Sequence, residues 1–130
     1  MNFILPLNPM PAPRPRVTSK GWTYYPKRYK QWREQAEAVI PHVLSSAGLA
    51  APFQGAIEVS ADFVVTRPKS TKFRHPRGDL DNYFKTLDCL NGLAWEDDTR
   101  IVVLHASKSW AEPNEFGFIT IEIKEVGEWP

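Results

Sequence analysis

From Ile57 to Val65 the chain alternates: Ile57, Val59, Ala61, Phe63 and Val65 are apolar, and Glu58, Ser60 and Asp62 between them are polar. A period of two held over this length suits an extended strand with one buried face. The chain must therefore build a sheet and supply something to cover it. Phe3, Leu5 and Leu7, alternating with Asn2, Ile4 and Pro6, predict a short, largely buried opening strand that Pro6 confines to an edge or ends early. A cover comes from Lys27 onward, where Tyr29, Trp32, Ala36, Val39, Ile40, Val43 and Leu44 recur at three- and four-residue steps behind Pro26. This predicts a helix over 27–46, kinked or split at Pro41 and stopped by Gly48, with a loop over 50–55. A second helix is expected over about 80–93, with Leu80, Phe84, Leu87 and Leu90 or Cys89 as its buried stripe and Gly92 at its end. Residues 100–110 and 116–125 read as strands whose Val and Ile content predicts a hairpin across the turn-prone 111–117. The order strand, helix, strand, helix, strand, strand implies an α+β (mixed α/β) fold: a mixed sheet with helices packed on it, as one domain over 1–130.

Between the first strand and the first helix the sequence P-M-P-A-P-R-P-R-V forbids helix and favours an extended, polyproline-like arm ordered only by contact. Trp22, Tyr24 and Tyr25 follow, interleaved with Lys20 and Lys27. Such a mixture either stacks bases and binds phosphates or covers the edge of a core. The net charge of +1 conceals a segregated distribution. Residues 1–33 hold seven cations (Arg14, Arg16, Lys20, Lys27, Arg28, Lys30, Arg33) and no acid, and 63–78 hold five (Arg67, Lys69, Lys72, Arg74, Arg77), again without an acid. The acids concentrate over 79–98 and after Trp110. Two basic segments beside an acidic cluster form the charge layout of a nuclease: cations neutralise phosphates, and carboxylates hold metal where a phosphate is cut. The loop Arg67 to Gly78, with its prolines, should be mobile until something anionic holds it. No apolar run is long enough to span a bilayer, no charged region precedes the short apolar stretch at Met1 to Leu7, and the single Cys89 suits a reducing compartment. A cytoplasmic setting without membrane attachment is expected.

The chemistry concentrates in Gly78-Asp79-Leu80-Asp81-Asn82-Tyr83-Phe84-Lys85. Two carboxylates stand at a helix start, where the helix dipole favours negative charge. Asp81, Lys85 and Asp88 follow at steps of four and three and share a helix face, and Glu96-Asp97-Asp98 precedes the next strand. Such oxygen ligands suit Mg²⁺ or Mn²⁺. Each residue also has a bland reading: Asp79 as an N-cap, Lys85 as an ion-pair partner of Asp81, Asp97-Asp98 as a turn. An EF-hand calcium loop is excluded, because its sixth and twelfth positions would be Phe84 and Leu90. His42, His75 and His105 lie too far apart in sequence to suggest a zinc site.

The string D-L-D-N-Y-x-K, followed by D-x-L-N-G-L-x-W-E-D-D-x-x-I and ending at Ile101, resembles the RusA family of Holliday-junction resolvases. The Pro-Arg-Pro-Arg arm, the helix from Lys27 and a strand reaching Lys108 extend the likeness over most of the chain. The resemblance implies a homodimeric, metal-dependent endodeoxyribonuclease of bacterial or phage origin that nicks a four-way DNA junction symmetrically in recombination and repair. The family acids fall on Asp79, Asp81 and Asp98 and the family lysine on Lys85; Asp88 and Asp97 are left as supporting or structural. The expected cofactor is Mg²⁺, with Mn²⁺ as a substitute, held by the three aspartates while Lys85 stabilises charge on the phosphoryl group. Arg14, Arg16, Lys20, Lys27, Arg67, Lys69, Lys72, Arg74, Arg77 and Lys108 are the expected DNA contacts. Two alternatives stay open at this point: a branched-DNA-binding module without catalysis, and a phage nuclease for flaps, forks or packaging intermediates.

Overall fold

The computed structural model describes residues 1–129. Its centre is a four-stranded mixed sheet built from β1 (Asn2–Leu5), β4 (Ile57–Val65), β5 (Ile101–Trp110) and β6 (Phe118–Glu125), in the order β1-β6-β4-β5. The alternation in β4 operates as expected: Ile57, Val59, Ala61 and Phe63 are wholly buried, beside Phe3 and Leu5 of β1 and Ile119, Ile121 and Ile123 of β6. Helix α1 (Lys27–Ser46) covers this face, burying Tyr29, Trp32, Ala36, Ile40 and Leu44 at helical spacing. Pro41 does not split it. Both Pro41 and Glu37, whose carbonyl loses its helical partner, are solvent-exposed, so water satisfies the orphaned acceptor.

The predicted hairpin of the last two strands does not form. β5 pairs parallel with β4, and β6 pairs antiparallel with β4 on its other side and with β1 beyond. A parallel pair requires a long crossover, and residues 66–100, carrying the second helix, provide it. The interior place also explains the composition of β6, since its three isoleucines are buried most fully when strands flank both edges. Between β5 and β6 the chain crosses the end of β4, where the Ala111 amide donates to the Val65 carbonyl at 2.7 Å and the Gly117 amide to Thr66 Oγ1 at 2.8 Å. A Cβ on Gly117 would lie 2.6 Å from the Val64 carbonyl oxygen and 2.8 Å from the Thr66 amide nitrogen, so this crossing admits only glycine.

Two further expectations change. The second helix is short: α2 (Leu80–Lys85) tightens into a 3-10 turn over Thr86–Leu90 rather than running to 93. The Thr86 hydroxyl, buried and donating to the Tyr83 carbonyl at 2.6 Å, stands where the helix tightens. The proline arm is docked on the body: Trp32 Nε1 donates to the Asn8 carbonyl at 2.9 Å, the Thr66 amide to Asn8 Oδ1 at 2.9 Å and the Ala12 amide to the Asn82 carbonyl at 2.8 Å. Beyond it, β2 (Arg16–Val17) and β3 (Thr23–Tyr24) form a small antiparallel ribbon that sequence patterning missed, because two-residue strands carry no readable period. No helix among the described residues is long and apolar enough to cross a membrane.

Candidate active site

Gly78 carries φ +95°, a left-handed turn that directs the chain into α2 at Asp79, and Pro11 of the arm packs against it. Lys108 Nζ of β5 donates to the Gly78 carbonyl at 2.5 Å, and Tyr83 Oη to the Arg77 carbonyl at 2.7 Å. Trp110 Nε1 donates to the Phe73 carbonyl at 2.9 Å, and the Arg77 guanidinium lies 5.0 Å from the Phe73 ring centre. The second half of the basic loop, from Phe73 to Gly78, is thus tied to β5 and α2. Lys108, expected as a phosphate contact, reaches the turn that leads into the site.

Asp79 occupies the N-cap position of α2 but makes no capping hydrogen bond, so its carboxylate is left to the surface. Asp81 stands one turn before Lys85, whose Nζ lies 3.9 Å from Asp81 Oδ2 and 3.3 Å from Asn82 Oδ1. Both side chains are well exposed, and so exposed a pair contributes little to stability. The third acid arrives on a separate anchor. Trp95, 1% exposed, donates from Nε1 to Asn91 Oδ1 at 2.7 Å, while the Glu96 amide and the Ala94 carbonyl both bond Phe53, clamping the segment that delivers Asp98. Asp97 takes the structural place in this turn. Its carboxylate accepts from the Thr99 amide at 3.1 Å, and its pKa is lowered, chiefly by hydrogen bonding to Thr99. Asp88 is ion-paired with Arg33 of α1. Although burial works against the Arg33 charge, hydrogen bonds to Tyr29 and Asp88 raise its pKa. Burial raises the pKa of Tyr29 despite the same guanidinium, so the phenol stays neutral beside the cation.

These segments meet around one cleft of about 490 Å³, lined by Asp79, Asp81, Lys85 and Asp98 together with Arg14 of the arm and Tyr25 beyond the ribbon. A larger groove of about 710 Å³ lies elsewhere, between α1 and the sheet, and is mainly apolar in character around Phe3, Ile4, Val43 and Ile121. The first cleft holds the chemistry-bearing residues. Arg16, Lys20, Lys27, Arg67, Lys69, Lys72, Arg74 and Arg77 do not line it; all are exposed, on the ribbon, the start of α1 and the basic loop. Sequence reasoning missed the residues that position the site: Asn91 and Trp95 under Asp98, Arg33 against Asp88, and Tyr83 under the basic loop. The prior signals were their places inside the motif or, for Arg33, on the predicted helix at the end of the first basic segment.

The donor set is all carboxylate oxygen, which suits hard divalent cations and not thiolate- or imidazole-seeking metals. Among the described residues no three His, Cys, Asp or Glu side chains are gathered closely enough to enclose an ion. Mg²⁺ needs no such cage, because it keeps several waters and takes part of its shell from substrate phosphate. Carboxylates lining one cleft are the donor type that such a shared cation takes.

Comparison with known proteins identifies a family. Residues 6–124 of the 130 match the family model described as endodeoxyribonuclease RusA, a span that takes in the arm, the basic loop and every acid of the cleft. No curated protein matches the chain. With the motif, the fold and the cleft in agreement, the chain belongs to the RusA endodeoxyribonuclease family, hydrolases that act on DNA.

Proposed function

We propose that this protein is a Mg²⁺-dependent, structure-specific endonuclease that resolves four-way DNA junctions by paired symmetric nicks in recombination and repair, acting as a homodimer. The observation that carries the reading is the convergence of Asp79, Asp81, Lys85 and Asp98 on one cleft, from the middle and the end of the crossover between β4 and β5. Asp79, Asp81 and Asp98 hold the divalent cation, with Mn²⁺ as a substitute. When bound, such a cation polarises a phosphate oxygen and lowers the pKa of a water for attack on phosphorus. Lys85, beside Asp81, stabilises the charge that grows on the phosphoryl oxygens. Arg14, in the cleft wall, takes the neighbouring phosphate, and its guanidinium suits two-point binding to phosphate oxygens. Arg16, Lys20, Lys27, Arg67, Lys69, Lys72, Arg74 and Arg77 extend the basic track along which the arms of the junction lie.

Two cuts across a two-fold junction call for two identical sites related by a two-fold axis, which is the physical reason for a dimer. A supercoiled plasmid with an extruded cruciform tests pairing directly. Two coordinated nicks across the junction linearise the plasmid in Mg²⁺, whereas uncoordinated nicking gives open circles. Linear product that forms only with the cruciform and the metal supports resolution. Open circles alone would reduce the reading to a branched-DNA nickase, and an unaltered plasmid in both Mg²⁺ and Mn²⁺ would remove it.

A further inference from the structure

The β2–β3 ribbon stands at the edge of the cleft and takes no part in the chemistry assigned above. Its stem lines the cleft through Arg14 and Pro15 on one side and Tyr25 on the other, and its turn is closed by Thr18, whose amide donates to the Trp22 carbonyl at 2.8 Å. The Trp22 amide in turn donates to Thr18 Oγ1 at 3.1 Å. The pairing of Arg16 with Tyr24 and of Thr18 with Trp22, combined with strand alternation, sets Arg16, Trp22 and Tyr24 on one face. Trp22 is 73% exposed, so the fold leaves its largest kind of side chain in water without core contact. The reading of this residue as cover for a core edge is thereby excluded.

Surrounding charge says which ligand. Arg14, Arg16, Lys20, Lys27, Arg28 and Lys30 accompany the ribbon with no acid among residues 1–33. Tyr24 and Tyr25 share that setting but are less exposed, and the exposed aromatics beyond the ribbon lack it: Phe116 follows Glu115, Trp129 follows Glu128, and Arg77 lies over Phe73. A cationic ribbon with an uncovered indole offers phosphates a counter-charge and a base a flat partner. In a linear duplex, base faces are occupied by their neighbours. At a branch point stacking is interrupted, and a base face becomes available.

We infer that Trp22 stacks on a base exposed at the branch point and so selects branched over linear DNA for the adjacent cleft. The inference rests on the reading of that cleft as a junction nuclease and names the residue that gives it substrate selectivity.

The test is binding in EDTA, where no strand is cut, of wild type, Trp22→Ala and Trp22→Phe to a four-way junction and to a linear duplex of the same sequence. Each DNA carries 2-aminopurine in place of one base, which in the junction adjoins the branch. Trp22 supports no core, so both variants fold. Trp22→Ala should lose on the order of tenfold or more in junction affinity, with duplex affinity held within about twofold, since one stacked base contributes that much. It should also lose the 2-aminopurine fluorescence change that wild type produces at the branch, and Trp22→Phe should restore most of both. Equal losses on junction and duplex, or an unchanged junction affinity and fluorescence response, would overturn the inference and leave the junction-nuclease reading intact. A wild type that binds junction and duplex alike would overturn the inference too, while the junction-nuclease reading falls only if the cruciform plasmid goes uncut.

Discussion

Replacing Asp81 by Asn keeps the shape of the side chain and removes its charge, which separates the two roles open to an acid at a helix start. If the carboxylate only complements the helix dipole, the change costs a few tenths of a kcal/mol and nothing else. If it holds a cation against DNA, cutting falls by roughly 10²-fold or more while junction binding persists, because the basic loop and arm are untouched. Gel assays of binding and cleavage on the same protein read both. The same comparison at Asp97, which caps the turn over Asp98–Arg100, should show only a modest loss. Sequence spacing named both acids of the Asp97-Asp98 pair and could not divide the roles, since capping depends on which carboxylate turns toward the Thr99 amide. Cys89 illustrates a different residue-scale effect. Burial pushes its thiol pKa up to about 11, above the ordinary 9.0 of a thiol. A folded-state pKa raised above the unfolded one gives stability that is full below pH 9 and lost as pH rises through about 11. The loss amounts to about 2–3 kcal/mol. Denaturant unfolding of wild type and Cys89→Ala between these pH values should show this alkaline decline in the first and a smaller one in the second.

The elements that bring the acids together differ in how legible they were. Helix α1 matches its predicted span because its buried stripe recurs without interruption and Pro26 marks its start. β4 was equally legible from its alternation. Pairing was not: hydrophobic period identifies a strand and its buried face, but it carries no information about which neighbour the strand takes. The position of β6 between β1 and β4 depends on the crossing at Gly117, a close approach that only the folded chain reveals. Gly117→Ala drives a methyl group into the backbone at Val64 and Thr66 and should cost about 2–3 kcal/mol in chemical denaturation. A second element-scale expectation concerns the segment under Asp98. Asn91→Ala leaves the buried Trp95 indole N–H without its partner, costing about 1–3 kcal/mol. Because that segment delivers Asp98, cleavage in Mg²⁺ should fall by more than the stability loss explains, at a temperature where the variant remains folded.

Across the whole molecule, a net charge of +1 separates into basic segments and a cleft lined by acids, and the fold sets Arg14 of the first segment in the wall of that cleft, where the proposed track begins. Binding through such a track releases counterions. If the track neutralises six or more phosphates, junction affinity should fall on the order of 10³-fold between about 50 and about 200 mM salt, as titrations at several salt concentrations would show. A flat response would deny the basic segments their role. The most direct test of the central claim, that the three aspartates and Lys85 form one metal-dependent phosphodiesterase site, is single-turnover cleavage of a labelled four-way junction, with linear duplex as control, by wild type and Asp79→Asn, in Mg²⁺ and in EDTA. Wild type should cut the junction in Mg²⁺ alone, and the variant should bind it without cutting. Cutting in EDTA, or by Asp79→Asn at the wild-type rate, would contradict that claim.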